Sequence, residues 1–157
     1  MDGFTPASRS TNRPMGLWLL AACNLAASFL LAASPVWALS VLYDAVPQDV
    51  VLGGWAEIKS WVLLGVLAGI CLSTIGVLSG NRAARTLLVI LLAALSSASL
   101  WDTYLFWQGY YHVLGYTLAD LNWFGIWNGT LAVRLFAWLG VNVWYLFASH
   151  ARLYFPR

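Results

Sequence analysis

Charge is scarce in this chain. Charged residues fill 9% of its 157 positions, against 61% hydrophobic, and its mean hydropathy is +0.74. A soluble domain carries about 25% charged residues. The shortage excludes a chain that coats itself with a water-facing surface, so the lipid bilayer is expected to be its solvent. Cysteine is equally sparse. Cys23 and Cys71 are the only two, both about two turns from what reads below as the inner membrane edge. A membrane thiol oxidase needs cysteines on the oxidising face, usually paired. Here they are expected to be small packing residues.

Histidine is limited to His112 and His150. They fall on opposite sides of the expected membrane, so no haem bridged by both is expected. No spacing suits four zinc ligands. No Gly-x-Ser-x-Gly elbow or phosphate-binding loop occurs. No basic patch with interleaved aromatics suggests nucleic acid. Neither metal nor cofactor is expected. Asn128-Gly129-Thr130 spells a glycosylation sequon. It sits against the membrane in a chain of bacterial character and is discounted.

What is abundant is apolar length. Four stretches run roughly from Met15 to Val41, Trp61 to Leu78, Leu87 to Phe106 and Leu131 to Phe147. A spanning helix needs about 20 apolar residues. Six of the eight Lys and Arg residues fall where they would share one side: Arg9, Arg13, Arg82, Arg85, Arg152 and Arg157. The opposite segments carry Asp44, Asp49, Glu57 and Asp120, with Lys59 as the basic residue. That is the positive-inside pattern with both ends in the cytoplasm.

The expected fold is therefore all-α, a four-transmembrane-helix bundle in a bacterial inner membrane. Residues 1–14 are expected to be a disordered cytoplasmic tail, 15–152 the membrane domain and 153–157 a second short tail. The spans are placed at 15–41, 58–79, 86–107 and 129–149. The run after Arg9 and Arg13 exceeds the about 7–15 residues of a signal-peptide core, so the first helix is expected to stay uncleaved. Pro35 is expected to kink it. Gly53-Gly54 marks the turn before the second helix. Short connections leave no room for a soluble domain. No internal repeat supports a transporter of inverted-repeat type.

Gly65, Gly69, Ser73, Gly76 and Gly80 recur every three or four residues and line one face of the second helix. Apolar area alone does not drive helices together in lipid, but close backbone approach restores dispersion contacts. The stripe is read as a helix-packing face, with a partner in this chain favoured over one in another copy. Asn24 and Asn142 are read as register-setting contacts between spans.

The segment from about Trp107 to Thr130 is rich in aromatics and has no Lys or Arg. Such rings prefer the headgroup level. It is expected to form an aromatic interfacial or re-entrant outer loop between the third and fourth helices. It offers an outer-loop site from Trp107, His112, Asp120, Trp123 and Trp127.

Asp102 and Arg134 are the ionisable residues nearest the membrane interior, at matching depths. An Arg at the bilayer centre costs at least ~2.5–3.5 kcal/mol. An Asp102–Arg134 ion pair facing the bundle interior is expected, with Glu57 as a second partner. The pair reads either as a register device or as a polar site open to the outside.

The C-terminal run Trp144-Tyr145-Leu146-Phe147-Ala148-Ser149-His150-Ala151-Arg152-Leu153-Tyr154-Phe155 resembles the end of small bacterial four-span proteins of unknown function, the DUF2569-like group. Gly53-Gly54-Trp55 loosely resembles that group's Gly-Gly-Trp opening. The likeness implies a topology and no reaction.

The leading functional expectation is non-enzymatic: an accessory or interaction protein binding another membrane component, in a complex-subunit, assembly or immunity-type role. Its expected partners are the lipid bilayer and another membrane protein, or a second copy by self-association. One rival is a small oligomeric transporter or channel built around Asp102 and Arg134. A weaker one is a lipid-modifying enzyme at the outer leaflet.

Overall fold

The computed structural model describes residues 15–45, 54–109 and 123–148, with side chains for 15–33, 36, 58–109 and 126–148. These residues are helical throughout apart from short turns. Helix α1 covers Met15–Ala45, α2 Gly54–Leu78, α3 Arg82–Gln108, α4 Trp123–Gly129 and α5 Leu131–Phe147. Three of them, α1, α2 and α3, contain stretches long and apolar enough to cross a membrane. Their faces away from the bundle carry exposed Phe29, Leu30, Trp61, Leu72, Ile90 and Trp101. That surface suits hydrocarbon rather than water.

Helix α1 runs unbroken through Pro35 to Ala45, four residues beyond the expected end. The turn from α2 to α3 is set by local chemistry. Gly80 has φ of 80°, a conformation glycine adopts without steric cost. The Asn81 amide donates to the Gly76 carbonyl at 3.0 Å, and the Gly80 amide donates to Val77 at 3.0 Å. This Schellman pair closes α2. The Asn81 side chain then caps α3 by accepting from the Ala84 amide at 3.3 Å.

Helices α4 and α5 form one interrupted helix. Two ladder bonds cross the junction, Thr130 N–H to Ile126 and Arg134 N–H to Thr130, each 3.1 Å. Alone, α5 is about 26 Å long, shorter than the roughly 30 Å hydrocarbon core. From 123 to 147 the pair reaches about 37 Å.

The core is lopsided. Leu17, Leu20, Leu67, Ile70, Val77, Leu88, Leu92 and Leu146 form one buried cluster. All lie toward the end of the bundle that holds the Gly80–Arg82 turn. At that end Tyr145 of α5 packs so closely on Gly16 of α1 that no Cβ would fit there. The Arg85 guanidinium stacks 4.6 Å above the Phe147 ring. Helix α1 packs on α2, α2 on α3, and α3 on α5. Toward the other end, among the described residues, a cleft separates α2, α3 and α5.

Candidate functional site

Where the helices part, a cleft opens. It has a volume of ≈ 810 Å³ and is partly open to the surroundings. Helix α2 contributes Ile58, Lys59, Val62, Leu63 and Val66, and α3 contributes residues from Ala94 to Leu105. Leu31 of α1 and Leu131 and Leu135 of α5 close it. Leu31, Leu63, Val66 and Leu95 also pack on the buried cluster, so the cleft is floored by the rim of the core. The lining is apolar except for Lys59, Ser99 and Asp102. Ser99 Oγ donates to the Ser96 carbonyl at 2.6 Å, one turn back in its own helix.

Lys59 and Asp102 meet at the end of the cleft away from the buried cluster. Lys59 Nζ lies 2.5 Å from Asp102 Oδ1, with side-chain exposures of 64% and 34%. The carboxylate takes the lysine of the adjacent helix, and the expected Asp102–Arg134 pair is not among the described ion pairs. Arg134 is relieved in another way. Its guanidinium donates to the Trp127 carbonyl and stacks 3.7 Å over the Trp127 ring. The break at Thr130 takes backbone groups out of the ladder, and neighbours re-satisfy them. Thr103 Oγ1 accepts from the Ala132 amide at 3.3 Å, and Trp107 Nε1 donates to the Gly129 carbonyl at 3.2 Å. A relief by carbonyl and indole face leaves no sequence periodicity behind. The Asn-Gly-Thr triplet at the break was its one trace. The side chain of Glu57 lies outside the described residues.

The outer-loop set divides. Trp107 belongs to the last turn of α3, where its indole covers Gly129 so closely that a Cβ would overlap it. Trp127 lies on α4 beneath Arg134. Trp123 opens α4, with its side chain outside the described residues. His112 and Asp120 lie outside them too.

The glycine stripe is also split. Gly69 meets Leu91 of α3, which would stand 3.0 Å from a Cβ, and Gly76 meets Ala84 of α3. Ser73 is buried. Gly65 has nothing within 4 Å of a Cβ, and Gly80 belongs to the turn. Of the five, Gly69 and Gly76 meet α3, Ser73 is buried and Gly65 is exposed.

A second polar feature joins α1 to α5. Asn24 Nδ2 donates to Asn142 Oδ1 at 2.8 Å, and Asn142 Nδ2 donates back to Asn24 Oδ1 at 3.0 Å. Trp138 Nε1 also donates to Asn24 Oδ1, at 2.7 Å. Both Asn side chains are buried. Each Asn was expected to set register, but their meeting and the Trp138 donor were not foreseen. Ser28 one turn on, and Ser73 and Thr74 of α2, bury hydroxyls that have no hydrogen-bond partner among the described residues.

No family model, curated protein or solved structure matches this chain. Of the C-terminal run that resembles the DUF2569-like group, residues 149–155 lie outside the described residues.

Proposed function

We propose that this chain is a non-enzymatic accessory protein of a bacterial inner membrane that binds another membrane component in the cleft between α2, α3 and α5. In this reading α4 and α5 together make the fourth span, and both ends of the chain are cytoplasmic. The orientation rests on the distribution of arginine. The binding role rests on the cleft: a partly open, ≈ 810 Å³ space lined mostly by apolar side chains, with one ion pair at the end away from the buried cluster. Ligand sites are typically apolar cavities of about 300–1,000 Å³ with a few placed polar groups.

The transporter or channel reading has less support. Asp102 and Arg134, its proposed polar site, are each engaged elsewhere. Apart from Lys59, Ser99 and Asp102 the lining is apolar and offers an ion little to replace its hydration. The enzyme reading needs polar groups that converge with a base or nucleophile, and Asp102 is engaged by Lys59.

Filling the cleft tests the proposal. Ala98 lines it and has an exposed side chain. The protein and its Ala98→Phe variant are purified in mild detergent, and the retained lipids and proteins are profiled. The variant is expected to lose at least one retained component while its unfolding midpoint is kept or raised. Identical profiles would overturn the binding role.

A further inference from the structure

We propose that the component held in the cleft is a phosphatidylethanolamine, one acyl chain lying in the cleft and its headgroup on Lys59 and Asp102. This rests on the binding role proposed above and names the ligand for it.

Four observations converge. The first is the lining. A void of this size bordering lipid is not stable when empty, because its walls forfeit their dispersion contacts. An aliphatic lining gives water too few polar partners to fill it. Hydrocarbon fits both conditions. The second is height. The α3 lining runs from Ala94 to Leu105, about 16 Å at 1.5 Å per residue. Half of a roughly 30 Å hydrocarbon core is about 15 Å. The cleft is one leaflet deep.

The third is position. Lys59 and Asp102 sit at the end of the lining away from the buried cluster. That is where a headgroup sits when its chain points toward the bilayer centre. The fourth is charge. The ion pair presents a cation beside an anion, with no net charge. Lysine has three donors, and one hydrogen bond joins its ammonium to Asp102. The side chain is 64% exposed. A lipid phosphate can take another donor as a charge-assisted bond. A primary ammonium two carbons away can then reach the Asp102 carboxylate. A zwitterion with an N–H-bearing amine completes an alternating row of four charges. Phosphatidylglycerol brings the phosphate without the ammonium and meets Asp102 as a like charge. Phosphatidylcholine brings a cation with no N–H to donate.

The test uses the full chain in nanodiscs holding equal amounts of phosphatidylethanolamine, phosphatidylglycerol and phosphatidylcholine with matched acyl chains. After release, native mass spectrometry counts the lipids that stay bound. One phosphatidylethanolamine is expected to be retained over the other two by about tenfold, the size of one charge-assisted hydrogen bond. Lys59→Ala and Asp102→Ala should each erase that preference. The exchange Lys59→Asp with Asp102→Lys keeps both charges at the cleft mouth and should restore much of it. Ala98→Phe should remove the bound lipid whatever its headgroup. Equal retention of the three lipids by the unaltered chain would overturn the headgroup assignment. So would a preference for phosphatidylglycerol, or a preference that survives in Lys59→Ala. If Ala98→Phe still releases a component in any of those cases, the cleft's binding role stands without this ligand. If Ala98→Phe changes nothing, both proposals fail.

Discussion

At the scale of the residue, the instructive case is Arg134. A half-buried guanidinium on an apolar helix has three routes to relief: a carboxylate, solvent, or backbone oxygen. Matching depths with Asp102 pointed to the first. The chain uses the third, because the interruption at Thr130 leaves the Trp127 carbonyl for Arg134 and places the indole under its plane. Guanidinium stacks on aromatic faces where an ammonium does not match the geometry. This separation has a measurable consequence. In a double-mutant cycle, Asp102→Asn and Arg134→Met should be additive within about 0.5 kcal/mol. Asp102→Asn and Lys59→Met should couple by about 0.2–1 kcal/mol, as expected for an accessible pair. Unfolding in mixed micelles followed by tryptophan fluorescence reads both. Strong coupling of Asp102 to Arg134 would restore the expected pair and remove the present assignment.

At the scale of the element, glycine spacing was legible and its uses were not. Five small residues share one face of an ideal helix, and that geometry follows from a 3.6-residue repeat. Whether a neighbour lies on that face depends on where the neighbouring helix runs. Gly76 meets Ala84 beside the turn that joins the two helices and Gly69 meets Leu91 further along α3, whereas Gly65 has nothing within 4 Å of a Cβ. The same substitution should therefore act with opposite sign. Gly76→Ala places a Cβ against the Ala84 methyl and should destabilise by about 1–3 kcal/mol. Gly65→Ala meets nothing and removes a glycine from a helix interior, which should stabilise by about 0.5–1 kcal/mol. Unfolding midpoints that move in the same direction would contradict the described α2–α3 packing. The fourth apolar stretch shows the same limit. Its hydropathy was plain, but its division into α4 and α5 comes from local backbone geometry at Thr130, where φ is −105° and ψ is 8°.

At the scale of the whole molecule, the determining property is asymmetry. One end is closed by the leucine and isoleucine cluster, by Tyr145 on Gly16 and by Arg85 on Phe147. Among the described residues, the other end holds the partly open cleft. If the arginine-bearing turn faces the cytoplasm, the cleft opens in the outer leaflet. Reporter fusions at the Gly80–Arg82 turn test the orientation. Cytoplasmic reporters should be active there and exported reporters silent. The reverse pattern would invert the molecule and move the cleft to the inner leaflet.

Composition and order alone determined the solvent, the helical class and the positions of the long apolar segments. These are properties of a residue and its chain neighbours. Twenty apolar residues in hydrocarbon must satisfy their own backbone, and a helix does that without outside help. Only the tertiary structure decided the pairings: Lys59 with Asp102, Arg134 with Trp127, Asn24 with Asn142. It also decided that the bundle parts on one side. These depend on how helices distant in sequence approach and diverge in space, and no spacing along a single chain records that distance.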